Sequence, residues 1–567
     1  MTEALGRRRA VFLALVLILT AGILALGWRV LAGGGWSGWD VAIMACLALN
    51  APWLALSAAT GLVGFALRIG ARDPVTAVLP AAARAAGPIT ARVAVLCCVR
   101  LEDMTTVLPP LQRLLRDLRT GKTGDAFSLA ILSDTPDGDA AARAELAVAR
   151  LAATFPPGVV LYRRRDMNTG WKAGNLLDFL DSPPGRGFDL ALILDADSDM
   201  SAEAVRRLVG VMEADPRLAI LQPCVAGRGA DTRFASLFGF GHRHGARTWA
   251  TGQAWWQGPE GPYWGHNALI RVAPFREHAR LPVLPGGAHI LSHDHVEAAL
   301  LHGAGWEVRV LPEDAGSAER HPPDLPAMFA RDLRWAAGNM QYRHLLRRRD
   351  MGRIGRAQMF QAMLHYLLTP LWFAPLPLAA LNVAAGGAEG TPRGALVALL
   401  VLGFAMLHAP KLGGYAEALI RGAGGAARML REISMAVLLD SIAALDRTWT
   451  LVRLLTGVGR GWAPQARDGR GVAWGCALRR FGAHGMVGMV LLVLFASGGW
   501  FPLLASAPFL AGLVLAVPFA VWTGRPARDA RGAHEGFYPT PTLPRRVGEE
   551  ATSRPVQAPG HRQVAGE

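Results

Sequence analysis

Residues 190–200 read Leu-Ala-Leu-Ile-Leu-Asp-Ala-Asp-Ser-Asp-Met, an apolar run of strand length closed by the carboxylates Asp195, Asp197 and Asp199. A run apolar at every position belongs to a strand buried on both faces, as in a parallel sheet covered by helices. Open α/β sheets bind ligands at the carboxyl ends of their strands, which is where Asp195 and Asp197 fall. Two carboxylates two residues apart in extended chain point the same way and can reach one hard cation. Such a pair suits Mg²⁺ (or Mn²⁺) carrying a diphosphate. An Asp-rich solvated turn fits these residues equally well.

Other segments carry chemistry of the same kind. Asp134, in Ile-Leu-Ser-Asp-Thr, also follows an apolar run. Its carboxylate could accept bonds from a uracil or ribose, although alone it reads as a turn residue. Thr169-Gly-Trp-Lys-Ala-Gly-Asn175 opens a helix, where small residues with Lys172 and Asn175 suit a phosphate or nucleotide. Lys172 stands out because the chain's basic residues are otherwise arginine, apart from Lys122 and Lys411. A solvated capping segment has the same composition. In Ser292-His-Asp-His295, Asp294 is either a first-turn residue favoured by the helix dipole or a general base for a sugar hydroxyl. The flanking His293 and His295 are weak metal-ligand candidates. Arg331 and Arg334 lie three apart on a predicted helix and share one face. They could stabilise a departing diphosphate while Trp335 stacks on a sugar ring. A basic helix under a membrane would look the same.

One sheet must gather these residues. Short apolar runs at 93–98, 128–132, 159–162, 190–194 and 218–221 alternate with helical patterns near 105–119, 139–154, 174–181 and 202–214. That alternation predicts a Rossmann-like α/β domain over 91–350 with a mostly parallel, right-handed sheet. Apolar segments flank it. Residues 1–72 hold two expected transmembrane helices, near 11–26 and 41–67, and 73–90 is a Pro/Ala linker. Spans near 358–381 and 394–409, with a cytoplasmic connection, fill 351–428. Residues 429–457 carry Asp440, Asp446, Arg447 and Arg453 at helical spacing and predict an amphipathic helix on the membrane surface. A basic cytoplasmic loop, 458–483, leads to two more spans near 484–503 and 505–523, within 484–524. The Pro-, Arg- and Gly-rich tail, 525–567, reads as disordered. Arg7 to Arg9 and Arg68 to Arg72 place both termini and the α/β domain in the cytoplasm, with about six crossings.

Composition agrees with this layout. The 567 residues are 51% hydrophobic with a formal net charge of +15, and mean hydropathy is +0.25. An ordinary soluble enzyme is excluded. A pI near 10.6 suits nucleic acid or an anionic membrane, and the apolar segments choose the membrane, so no nucleic-acid partner is expected. Cys46, Cys97, Cys98, Cys224 and Cys476 form no metal-ligand spacing and read as reduced.

Taken together, strand-end Asp134, Lys172 with Asn175, Asp195-x-Asp197, Asp294 and Arg331-x-x-Arg-Trp335 occur in the order found in processive family 2 glycosyltransferases. Those enzymes carry Gln where Arg331 stands and Thr-Glu where Ser292-His293 precedes the base. These departures, with Asn168-Thr-Gly-Trp-Lys-Ala-Gly-Asn175, Ala254-Trp-Trp-Gln257 and Tyr263-Trp-Gly-His-Asn-Ala268, resemble the glucans biosynthesis glucosyltransferase H family. The resemblance implies a polytopic α-helical membrane protein of the bacterial inner membrane with an inserted cytoplasmic GT-A domain. It implies UDP-glucose as donor and a β-linked osmoregulated periplasmic glucan as product, exported as it grows. Asp134 would bind the uridine near Lys172 and Asn175, and Asp195 and Asp197 would hold the diphosphate through the metal. Asp294 would be the base, Arg331 and Arg334 would stabilise UDP, and Trp335 would floor the acceptor. Gly265, His266 and Asn267 would line the acceptor terminus. Implied partners are the growing glucan, the bilayer, a periplasmic glucan-processing protein and acyl carrier protein. A cellulose- or hyaluronan-like synthase would share most of these residues. A non-catalytic transporter with a nucleotide-sensing domain is the reading of a different class, against which stands the absence of a P-loop.

Overall fold

The computed structural model describes residues 2–527 except 86, 122, 230, 388, 458–468 and 470. The tail read as disordered therefore falls almost wholly outside the described residues, as does the first part of the basic loop.

The strands are β1 (Val93–Val99), β2 (Phe127–Ser133), β3 (Val160–Arg164), β4 (Leu190–Leu194), β5 (Asp199–Met200), β6 (Leu218–Pro223), β7 (Ala226–Arg228), β8 (Ala268–Arg271), β9 (Glu307–Leu311) and β10 (Ser317–Arg320). Seven form one sheet in the order β3-β2-β1-β4-β8-β6-β9, and β5-β10-β7 form a second, small one. The large sheet is parallel except for β8, which runs antiparallel to both neighbours. Period-two alternation divides β1 and β4 between two cores. Val93, Val95, Cys97, Leu190, Leu192 and Leu194 pack into one, and Ala94, Leu96, Ala191 and Ile193 into the other. Both faces are thus dry, as the unbroken apolar run required.

Parallel register places the candidate carboxylates along one edge. Val99 pairs with Ser133 and Cys97 with Leu194, so Asp134 and Asp195 leave the ends of the two strands that flank β1. Because β8 is antiparallel, its beginning lies at this same edge, and the residues before Ala268 enter the site from the opposite chain direction.

The expected linker is not loose. Residues Pro74–Val78 are helical, and Val78, Leu79, Ala81 and Ala82 join the core under the sheet. Their alanines and valine give up solvent for apolar contact, which composition alone did not foretell.

Among the described residues three helices are long and apolar enough to cross a membrane, Glu3–Gly34, Gly38–Gly70 and Trp474–Ser497. The number rises to six if each of three bent helix pairs is one span. The pair Arg393–Leu407 and Ala409–Ile420 turns by 79° at His408, beside Pro410, so the segment expected near 394–409 is half of a broken helix. Arg479 and Arg480, assigned to a loop, lie inside helix Trp474–Ser497.

Helix Ala426–Leu455 also departs from expectation. Several of its charges have partners on other helices, while Arg431 and Arg453 are exposed. Glu432 accepts from Lys411 Nζ at 2.7 Å and Tyr415 OH at 2.6 Å. Asp440 meets His408 Nε2 at 2.7 Å, Asp446 pairs with Arg480, and Arg447 Nε donates to Asp332 at 2.8 Å. Charges in an apolar bundle turn inward to partners. Arg68, counted above as a cytoplasmic-side charge, is likewise buried and bonded twice to Glu417.

Helix Arg233–Gln257 joins the α/β domain to the apolar bundle. It crosses Gly38–Gly70 at a point where a Cβ on Gly64 would lie 1.9 Å from Thr248 O and one on Gly252 2.0 Å from Thr60 O. Small residues let the backbones touch. Gly252→Val should lower the melting temperature in detergent, since forcing atoms into a packed contact costs about 1–3 kcal/mol. An unchanged melting temperature would contradict the contact.

Candidate active site

Asp134 caps the end of β2 and is buried, and its two carboxylate oxygens accept from Arg165 Nε and, at 3.1 Å, from Arg165 Nη2. The same guanidinium donates to Asp178 at 2.8 Å, to Thr169 O at 2.9 Å and to Trp171 O at 2.7 Å. Arg165 therefore fastens the 168–175 segment to the strand end. It also holds a strained turn: Gly170 has φ +69° and Trp171, a bulky residue, φ +54°. A left-handed non-glycine persists only where its surroundings over-determine it.

Lys172 emerges from this turn. Its ammonium pairs with Asp195 and donates to Gly265 O at 2.6 Å. Burial lowers its pKa, but Asp195 outweighs this and moves it up, so the amine stays charged. Asn175 does something other than bind a nucleotide. It is fully buried, its amide donates to Leu132 O at 3.2 Å, and its oxygen accepts from Arg163. Both ends of the side chain are spent on holding helix Trp171–Asp181 against β2 and β3.

Asp195 and Asp197 lie half-buried between β4 and β5. The backbone N–H of Asp195 donates to Ser198 Oγ at 2.9 Å, which tightens the turn. Asp199 is a framework residue, paired with Arg228 at 3.0 Å and Arg113 at 3.3 Å. Among the described residues no group of three or more His, Cys, Asp or Glu is placed to hold a metal ion. Two hard oxygen donors without a third suit a cation that takes its other oxygens from water and a diphosphate, as Mg²⁺ or Mn²⁺ does.

The Gly265–Asn267 turn precedes β8. Gly265 has φ +86°, and a Cβ there would lie 3.5 Å from that of Asp294. Lys172 thus bridges Asp195 and Gly265 O, and the open side of Gly265 faces Asp294. His266 Nδ1 is 3.5 Å from Glu319 Oε2. Asn267, by contrast, is fully buried with φ +50° and donates to Ser317 Oγ at 3.1 Å and Ala318 O at 3.3 Å. It sews β8 to β10 and has no surface to offer a ligand.

Asp294 opens helix Asp294–Gly303. Burial by itself raises its carboxyl, but His295, with Nδ1 3.6 Å from Oδ1, and then His293 outweigh this and hold the group at about 2. His293 is engaged by Glu297, at 2.8 Å from Nδ1 to Oε2, so the two histidines serve different carboxylates. Beyond His295 a cavity of about 280 Å³ opens between the α/β domain and the apolar helices, lined by Trp53, Trp249, Trp264, His295, Gln358 and His365 among others.

Arg331 and Trp335 are neighbours one helical turn apart, and the Arg331 guanidinium carbon lies 4.5 Å above the Trp335 ring. Trp335 is nevertheless 49% exposed, which leaves its other face open. Burial lowers the Arg331 pKa, against Glu319 and Asp332, which raise it. Arg334 is half-buried on the same helix.

The structure thus gathers Asp134, Lys172, Asp195, Asp197, Gly265 and Asp294 at one sheet edge and sets Asn175 and Asn267 behind it. Sequence reasoning missed Arg165 and Glu319. Arg165 directly precedes the 168–175 motif at the end of a strand, and that adjacency was a usable signal. Glu319 sits in a four-residue strand with no apolar run to mark it, and none was available.

A family model described as glycosyl transferase family group 2 matches residues 190–408, which begin at β4 and take in the candidates from Asp195 to Trp335. Proteins named glucans biosynthesis glucosyltransferase H from Xanthomonas campestris pv. campestris and Caulobacter vibrioides are 31% and 32% identical to this chain, over 92% of it and 84% of their own length. One from Rhodopseudomonas palustris is 34% identical over 92% of this chain and 76% of its own. The α/β domain is a GT-A glycosyltransferase domain, and this excludes the non-catalytic reading. At this identity over nearly its whole length, the chain belongs to the glucans biosynthesis glucosyltransferase H family.

Proposed function

We propose that the protein is an inverting membrane glucosyltransferase that uses UDP-glucose to extend a β-linked glucan and passes the product across the bacterial inner membrane. The bridge from Asp195 through Lys172 to Gly265, whose open side faces Asp294, carries this reading. It sets a diphosphate-type site and an ionised carboxylate side by side, as a single displacement at an anomeric carbon needs.

In this reading Asp134, held by Arg165, receives the uridine. Asp195 and Asp197 hold Mg²⁺ or Mn²⁺, which supplies charge neutralisation for the diphosphate. Asp294 takes the proton from the acceptor hydroxyl as its oxygen attacks the anomeric carbon. Bond breaking to UDP on the opposite side turns an α donor into a β product. Arg331 and Arg334 face the charge that develops on UDP, and His266 lines the acceptor end. The open face of Trp335 supports the acceptor ring.

The 280 Å³ cavity beside His295 suits the sugar behind the acceptor terminus. Tryptophan faces stack on pyranose rings, and the amides of Gln358 and Gln361 match sugar hydroxyls. Part of its wall comes from the apolar helices Gly38–Gly70 and Arg353–Leu367, the position that export through the apolar bundle requires; in this reading the GT-A domain and both termini are cytoplasmic. Trp264→Ala should shorten the glucan and slow transfer by about three- to tenfold, the loss of one stacking contact. Unchanged chain length by mass spectrometry would place the acceptor elsewhere.

The whole reading is tested by UDP release from UDP-glucose and Mg²⁺ with detergent-purified protein, followed by linkage analysis of the product. Release with a different UDP-sugar only would keep the mechanism and discard glucose. A β-1,4 product would point to a cellulose-like synthase.

A further inference from the structure

Asp332, the second residue of the Arg331–Trp335 segment, is 4% exposed and accepts from Arg447 Nε at 2.8 Å. Its partner lies 115 residues away on helix Ala426–Leu455, outside the GT-A domain. The preceding residue, Asp446, pairs with Arg480 of helix Trp474–Ser497. The Arg480 guanidinium in turn lies 5.7 Å from the ring of Phe329, on the Asp332 helix, and 5.2 Å from that of Phe481. Arg447 directly, and Arg480 held by Asp446, thus tie the helix carrying Arg331, Arg334 and Trp335 to the apolar bundle.

A buried ion pair is weak evidence for stability, because apolar residues of similar volume fill the same space without loss. What charges add is direction, since a charge-assisted hydrogen bond is short and geometrically specific. The surroundings favour that use. Beside Arg447 lies a cavity of about 180 Å³ that Lys411, Glu432 and Asp440 also line. The charged side chains there lie among apolar ones such as Phe238, Met328 and Met435, so the pair is held in a largely apolar setting.

We infer that Arg447 is a positioning residue for glucosyl transfer: through Asp332 it sets the placement of Arg331, Arg334 and Trp335 from a helix outside the GT-A domain. The inference rests on the proposed roles of those three residues at the leaving group and acceptor. Transfer is thereby coupled to the position of helix Ala426–Leu455.

The test uses the full-length protein in detergent and UDP release from UDP-glucose with Mg²⁺. Arg447→Met and Asp332→Asn should each lower kcat at least about tenfold, with KM for UDP-glucose within about twofold, because small misplacements at a reacting centre are that costly. Either single change also leaves a buried charge alone, so folding is controlled separately. The double variant Asp332→Leu/Arg447→Met should recover the wild-type melting temperature but not kcat. The reversed pair Asp332→Arg/Arg447→Asp should recover part of both. Full kcat in the apolar double variant, or a kcat loss matched by the loss of folded protein, would overturn the inference. Arg334→Ala is run alongside. If it transfers at the wild-type rate, the leaving-group reading itself fails. If it is slow while the Arg447 variants are normal, only the coupling fails.

Discussion

Asp294→Asn is expected to lose glucosyl transfer by about 10²–10⁴-fold while remaining folded, the range over which a positioned base contributes. The substitution preserves shape but removes the charge, and with it both the capacity to take a proton and the pairing with His295. UDP release and glucan synthesis should fall together, and by far more than the modest drop in melting temperature that the lost pairing causes. Release of UDP without glucan would mean that water replaces the acceptor and that the base lies elsewhere. The electrostatics sharpen the expectation. With its carboxyl held at about 2, Asp294 is ionised throughout the working range, so the rate profile shows no acid limb from it between about pH 4 and 8. The group is depressed in the folded state. Its contribution to stability is present above the ordinary carboxylate range and lost as pH falls through about 2. His295→Gln removes the larger of the two histidine influences and should move the carboxyl up. That variant should keep activity near neutrality and gain an acid limb. A His295→Gln profile identical to wild type would deny the coupling.

The second large effect concerns the strand-end pair. Asp195→Asn and Asp197→Asn should each lower transfer by about 10²–10³-fold, as loss of charge stabilisation at a reacting centre does. Chelation by EDTA should do the same to the wild type, reversibly on adding Mg²⁺ or Mn²⁺. The two variants should differ in one respect. Asp195 also binds Lys172, whose ammonium in turn holds Gly265 O beside Asp294, so Asp195→Asn loosens the acceptor side as well. It should raise the acceptor KM, whereas Asp197→Asn should chiefly weaken metal-dependent UDP binding, read by calorimetry. Transfer that survives EDTA and both substitutions would remove the metal from the mechanism.

The legible parts of this molecule were those where one local pattern had one physical solution. The run from Leu190 to Leu194 is apolar throughout, and only a strand dry on both faces satisfies it; β4 has those bounds. Helix Ala202–Ala214 was equally plain, with Ser201 as its cap and an apolar stripe facing the core. Short or polar strands were not legible. β8 and β10 have four residues each and owe their existence to neighbours distant in sequence. At the site, the types and order of Asp134, Lys172, Asp195 and Asp294 could be read, but not the direction of each side chain. Asn175 and Asn267 are polar residues inside site motifs, yet buried partners claim them. The inward partners of Glu432, Asp440, Asp446 and Arg447 were not legible for a similar reason: Lys411, Arg480 and Asp332 lie on three other helices and His408 at a kink between two, and no window of sequence contains both members.

Where Gly64 and Gly252 meet, main chain touches main chain with no side chain between. Side-chain contacts can creep by changing rotamer, but two apposed backbones have nothing to rearrange. Sliding one helix along the other here would have to break that backbone contact, whereas Gln358 and Arg447 join the α/β domain to the apolar helices through long, rotatable side chains.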